Sequence, residues 1–219
     1  MPAGTITALR VQEQDAQRVN LFVDGAFAIG LSLATLARER LYVGQQLSAE
    51  DYERLERAER ADKALHAALR IIETRPRSQA EIRERLRRKG FAPEAVDAAL
   101  ERMRELGLVD DAAFARYWVE SRQTHRPRGP GALRDELRRK GVDAEVIAQT
   151  LDDPALRGDE AEQALALARA ALHKYRAAPD YATFARRLGG FLQRRGFGFE
   201  TVRPIVDRLW QEREGHREG

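Results

Sequence analysis

Apolar and polar positions follow two different rhythms along the chain, and the change of rhythm divides it. Near the start, Val19, Leu21 and Val23 alternate with Asn20, Phe22 and Asp24, the period of a half-buried strand. Asp24-Gly25 offers the positive-φ pair of a tight hairpin, after which Phe27, Ile29 and Leu31 resume the alternation. Residues 6–11 supply a third strand through the polar stretch 12–18. Three short strands need cover on one face, so this small β-meander should pack on the first helices or dock on another protein. Ser32 then caps a short helix that ends near Arg40, with Gly44 as its breaker. Beyond it the period is helical. Ser48 with Asp51 is a capping-box signature, opening a long helix through Tyr52, Leu55, Ala58, Leu65, Leu69 and Ile72 of about 26 residues and near 39 Å.

After that helix the pattern repeats. Leu86-Arg87-Arg88-Lys89-Gly90 returns as Leu137-Arg138-Arg139-Lys140-Gly141, 51 positions later. At the same offset Arg75, Pro76 and Arg77 match Arg126, Pro127 and Arg128. Ile82 matches Leu133, and Val96 and Leu100 match Ile147 and Leu151. A weaker third copy lies 55 further on, with Leu188, Leu192, Gln193-Arg194-Arg195-Gly196-Phe197 and Val202. A period near fifty marks stacked helical units. Each unit reads as three helices, the second basic and stopped by glycine at the left-handed position. The predicted segments are 1–47 (strands and short helix), 48–61 (connecting helix), and 62–109, 110–153 and 154–219 (three repeats, the last with a polar tail from 213).

Within the repeats, Ser78 with Glu81 is another capping box, and Pro93 suits the first turn of a helix burying Val96, Leu100 and Met103 before Gly107. Asp110 or Asp111 caps the next helix, closing near Gln123. Its Phe114, Tyr117 and Trp118 read as core, with Tyr117 the member nearest the surface. The link Arg126-Pro127-Arg128-Gly129-Pro130-Gly131 reads as a stiff, exposed, non-helical loop holding guanidinium groups. A helix over 144–151 follows, then a joint at Asp152-Asp153-Pro154. The third repeat is predicted at 159–175, 181–195 and 200–212, with Gly189-Gly190 interrupting its basic helix.

Composition narrows the chemistry. Charged residues make up 33% of the 219, apolar ones 43%, and there is no cysteine, which excludes disulfides and thiolate metal sites. His66, His125, His173 and His216 stand apart from one another, so metal-ligand spacing is missing, and lone His125 reads as solvated. Phosphate-loop, dinucleotide and zinc-protease motifs do not occur. The aspartate pairs sit at helix starts, where the dipole accounts for them. No enzyme activity, cofactor or metal is expected, nor any membrane segment, and the chain is expected to be a soluble cytoplasmic monomer.

The net charge of +3 is small, but its distribution is not even. Residues 75–89 and 122–140 each carry a net +5 and 186–203 a net +4, separated by acidic stretches at 97–111 (net −3) and 143–162 (net −6). Cations recurring at matching places suggest a stripe that meets a polyanion or an acidic partner. The candidates are Arg87, Arg88, Lys89, Arg126, Arg128, Arg138, Arg139, Lys140, Arg194 and Arg195. Arg195-Gly196-Phe197-Gly198-Phe199 imitates an RNA-recognition signature but loses it at Glu200 and Val202. The repeat makes it a turn between helices, with Phe197 plugging the core.

Ser78-x-x-Glu81-Ile82-Arg83-x-x-Leu86-x-x-Lys89-Gly90-Phe91, Leu106-x-Leu108-Val109-Asp110-Asp111 with Phe114-Ala115 and Trp118, and Arg128-Gly129-Pro130 with Leu133-Arg134-x-Glu136-Leu137-x-x-Lys140-Gly141 resemble the RecX family of recombinase regulators. The resemblance is strong over residues 62–153, weaker in the third repeat and variable in the strands. It implies a mainly α, elongated tandem array of three three-helix repeats. It further implies a non-enzymatic inhibitor that lies in the groove of the RecA–DNA filament and suppresses its ATPase, strand-exchange and co-protease activities, by capping or disassembly. Single- and double-stranded DNA would be bound weakly. Two other readings stay open: a helix-turn-helix-like protein acting directly on nucleic acid, and a scaffold binding only proteins.

Overall fold

The structure is a computed structural model, and it describes residues 3–215. Contacts gather the chain into two compact units. The first runs to Arg77 and takes in Ile82–Val109; the second holds Ser78–Glu81 and everything from Asp110 onward.

In the first unit, β1 (Gly4–Gln12), β2 (Asp15–Val23), β3 (Ala26–Ser32) and β4 (Gln46–Leu47) form an antiparallel sheet in the order β3-β2-β1-β4. The meander is the one that the alternation predicts, turning at Asp24 (φ 48°) and Gly25 (φ 84°). Strand β2 begins inside the stretch expected to be a link, and the two-residue β4 carries too little pattern to foresee. Leu21 stands between Leu9 and Ile29, and Val19 between Val11 and Leu31. Helix α1 (Leu33–Arg38) starts where the Ser32 hydroxyl accepts from Thr35 N–H.

Helix α2 (Ala49–Ile72) carries the complete Ser48/Asp51 capping box. Hydrogen bonds from the Ser48 hydroxyl and backbone draw the Asp51 carboxyl down to about 2. Its first half does more than connect. Tyr52 and Leu55 complete the core under the sheet with Ile6, Leu21, Val23, Leu31, Leu41 and Leu47, and Tyr52 Oη donates to Ala28 O at 3.0 Å. Glu59, 4% exposed, pairs with Arg18 of β2 and with Lys63 at 3.2 Å. The second half gives Ala68 and Ile71 to a separate core with Ile82 and Leu86 of α3 (Gln79–Arg88) and Val96, Leu100 and Met103 of α4 (Pro93–Glu105).

The second unit holds α5 (Asp111–His125), α6 (Pro130–Arg139), α7 (Ala144–Asp152), α8 (Pro154–Arg157), α9 (Glu160–Ala171), α10 (Tyr181–Arg194) and α11 (Phe199–Gly215). Phe114, Val119, Leu133, Leu137, Ile147 and Leu151 make one core; Phe184, Leu188, Leu192, Phe197, Val202 and Leu209 belong to another. Asp110 caps α5, which runs two residues past its expected close. The four-residue α8, capped by Asp153, is too short to show a period. Helix α10 passes through Gly189-Gly190 without a break, because its Leu188 and Leu192 are wholly buried on either side. The expected polar tail is helical through Gly215; its remainder, including His216, lies outside the described residues.

The repeated motif encodes one local structure three times. Phe91, Val142 and Phe197 N–H groups reach back to Leu86, Leu137 and Leu192 carbonyls at 3.2, 3.2 and 3.3 Å. Inside those bonds Gly90, Gly141 and Gly196 donate to Arg87, Arg138 and Gln193. This is the Schellman stop, with the glycine at φ 84°, 73° and 88°. Two of these stops are then covered by the start of another basic helix. Ser78 Oγ donates to Lys140 O at 2.6 Å, while Gly129 N donates to Arg195 O at 2.8 Å and Gly131 N to Gly196 O at 3.1 Å. The link at 126–131 is therefore neither wholly exposed nor wholly loop. Gly129 is buried, and Pro130 opens α6 at the first helical position, where a missing N–H is harmless.

A methyl group discriminates among the three stops. On Gly90 it would meet nothing within 4 Å; on Gly141 it would overlap the Ala80 side chain, and on Gly196 the backbone and side chain of Ala132. Gly90→Ala should cost only the backbone strain, about 1–2 kcal/mol. Gly141→Ala and Gly196→Ala add overpacking and should cost about 1–3 kcal/mol more. Urea titrations of the three variants check the order.

Candidate basic interface

The ten candidate cations occupy three kinds of position. Arg87 and Lys89 at the end of α3, Arg126 at the end of α5, Arg139 at the end of α6 and Arg194 at the end of α10 are exposed, and form no ion pair among the described residues. Arg88 and Arg138 are exposed but engaged along their own helices, with Glu84 at 2.8 Å and Asp135 at 3.7 Å. Such pairs are weak and readily exchanged. Arg128, Lys140 and Arg195 are drawn inward.

The reasons are local. Lys140 is the last residue before the Gly141 stop, and its carbonyl receives Ser78. Its ammonium turns back to Glu81 at 2.8 Å and sits 4.1 Å from the Trp118 ring centre and 5.9 Å from that of Phe114. A cation held between a carboxylate and an indole face serves packing before it serves a ligand. Arg195 takes the equivalent place in the next trio and lies over Phe191 at 5.2 Å. Arg128 Nε, buried 3.6 Å from Glu136 Oε1, closes no hydrogen bond. These three are half-buried and engaged within the fold.

Glu136 is the residue that sequence reasoning passed over. It accepts from Trp118 Nε1 at 2.9 Å and Arg122 Nε at 2.7 Å, and Arg122 also lies 4.3 Å from the Trp118 ring centre. Burial pushes its carboxyl up, but the Arg122 and Trp118 hydrogen bonds and the charges of Arg122 and Arg128 outweigh that, leaving it below its ordinary 4.5. A carboxylate eight and fourteen residues from arginines that also look like surface charge gives no sign in the chain that it pairs with them. Phe114 is buried and Tyr117 is 38% exposed, as their helical spacing predicts. His125 is exposed at the end of α5. Among the described residues no cluster of three or more histidine or acidic side chains could hold a metal, and no helix is long and apolar enough to cross a membrane.

A carboxyl lowered in the folded state stabilises above its unfolded value and loses that contribution as pH falls through the folded one. Glu136→Gln should therefore cost about 1–3 kcal/mol at neutral pH and narrow to little difference in acid below the ordinary glutamate range. Chemical denaturation at several pH values measures both. A deficit that stays constant with pH would mean the network does not depend on the charge.

Four family models together match most of the chain. Residues 4–48 match the model of the Regulatory protein RecX N-terminal domain, and 64–103, 110–151 and 158–206 match the RecX first, second and third three-helix domains. Regulatory protein RecX of Mycobacterium avium is 38% identical over 161 residues, 72% of this chain and 91% of the relative. Regulatory protein RecX of Lactobacillus johnsonii is 31% identical over 207 residues, 93% of this chain and 74% of the relative. A crystal structure of regulatory protein RecX superposes with a TM-score of 0.80 at 26% identity, covering 93% of this chain and 98% of that one. A second, of RecX from Lactobacillus salivarius, shares the fold at TM-score 0.62 and 21% identity, covering 69% and 97%. The N-terminal domain and three helical trios thus have their counterparts, and the chain belongs to the RecX family of regulatory proteins.

Proposed function

We propose that this chain is a non-enzymatic inhibitor of the RecA recombinase that lies in the groove of the RecA–DNA filament. There it suppresses ATP hydrolysis, strand exchange and co-protease activity. The observation that supports the reading most directly is the set of exposed cations left over once the structural ones are set aside. Arg87 and Lys89, Arg139, and Arg194 stand beside the glycine stop of successive basic helices with no ion pair among the described residues. A regular polymer presents the same acidic surface or phosphate at every step. Weak contacts repeated along one chain then reinforce one another through effective concentration. A protein bridging neighbouring protomers in this way opposes the movement that accompanies nucleotide turnover. Arg88, Arg126 and Arg138 join the contact by exchanging their helix partners or solvent for it.

Sub-stoichiometric chain should inhibit DNA-dependent ATP hydrolysis by RecA. The triple variant Arg87→Ala/Arg139→Ala/Arg194→Ala, all at exposed positions, should need about tenfold more protein, three contacts contributing about 0.5 kcal/mol each. A preferred duplex sequence, or undiminished inhibition by the triple variant, would instead favour direct groove reading or contacts elsewhere.

A further inference from the structure

The third trio carries a groove that the filament reading leaves unused. Between α10 and α11 lies a cleft of about 320 Å³ with Gly189 and Gly190 in its wall. Glycine is a poor helix former, and in mid-helix it usually signals a close approach. No such approach occurs. A Cβ on Gly189 would find Val202 at an ordinary 3.6 Å, and one on Gly190 would meet only the flexible Arg194 guanidinium at 3.2 Å. The second trio, aligned by its buried Leu133 and Leu137, has Arg134 and Asp135 at these places. Gly189 is nonetheless buried beside Val202 and Val206, whereas Gly190 is half-buried and leaves the helix bare at that one point.

The rest of the lining is chemically specific. Phe199 is 57% exposed at the start of α11, and Tyr181 43% exposed at the start of α10. Tyr181 is held in place, its hydroxyl donating to the Asp207 carboxylate and its ring edge-on to Trp210 at 5.9 Å. Arg186 and Arg203 flank the cleft, exposed and without an ion pair among the described residues. The nearby acids are largely committed: Asp207 to Tyr181, and Asp180 to the Thr183 N–H that caps α10. Glu200 stays exposed beside Phe199. Two exposed aromatic rings, a slot at Gly190 and two available guanidiniums are the parts that hold unstacked bases and their phosphates. A duplex, whose bases are stacked away, would leave the rings and the slot unfilled.

We propose that this groove is a single-strand DNA site, in which one base lies over Gly190 against Phe199, a neighbouring base meets Tyr181, and Arg186 and Arg203 take the adjoining phosphates. The site needs only the third trio and stands whether or not the filament reading does. The test is fluorescence anisotropy of a short labelled oligothymidylate with the full chain across a salt series. Phe199→Ala should weaken binding about tenfold with the salt slope unchanged, because stacking carries no counterion release. Arg186→Ala/Arg203→Ala should lower the slope by about 1.4, at about 0.7 per phosphate. Gly190→Leu should block the slot while keeping or raising the melting temperature, since leucine favours the helix. Wild-type affinity in Phe199→Ala and Gly190→Leu would overturn the base site even if the arginine variant weakens. So would stronger binding of a duplex of the same length, or a concentration-dependent dimer that Phe199→Ala abolishes, which would make the groove a self-contact.

Discussion

A helix that ends leaves carbonyl groups without donors, and one that begins leaves N–H groups without acceptors. At the Gly196 stop the two deficits cancel, and at the Gly141 stop a side-chain hydroxyl supplies the donor. The Lys140 and Arg195 carbonyls, at the last residue before a glycine stop, receive the Ser78 hydroxyl and the Gly129 N–H, each from the residue that opens another basic helix. Gly141 and Gly196 have to be glycine twice over, once for their positive φ and once because Ala80 and Ala132 occupy the place of a side chain. The contact is made largely of backbone, so it tolerates drift in the solvent-facing positions and asks for constancy only in the small residues and in the leucines buried beneath.

This joint also sorts the basic residues. At the two covered stops the cation immediately before the glycine is pulled over an aromatic ring, Lys140 onto Trp118 and Arg195 onto Phe191, whereas Lys89 at the uncovered Gly90 stop stays in solvent. The neighbours one or two positions back remain in solvent. A run that looks like uniform positive charge in the chain therefore splits into structural members and available ones. Of the acidic residues that hold the structural members, Glu81 is marked in the sequence only as the capping-box partner of Ser78, and neither it nor Glu136 shows there the cation it holds.

Most of the architecture was legible because it is written locally. The alternation around Val19–Val23, the Ser48/Asp51 box, Pro93 at a helix start and the glycine stops each depend on residues within one turn or one strand pair, and each is where the pattern puts it. What could not be read depends on meetings far along the chain. Lys140 lies 59 positions from Glu81, and nothing in either neighbourhood announces the other. Gly189-Gly190 looked like an interruption because propensity alone says so; burial of Leu188 and Leu192 overrides it. The link at 126–131 looked exposed because prolines and glycines usually are, whereas here they admit close backbone contact.

Helix α2 is shared by two cores, with Tyr52 and Leu55 under the sheet and Ala68 and Ile71 among the first trio. Neither neighbour can melt without stripping apolar cover from the same continuous rod, and Glu59 is buried part-way along it, paired to Arg18 of the sheet. The strands and the first helical trio are thereby joined into one cooperative folding unit, so that a lesion in the sheet is felt as lost protection of amides in the trio.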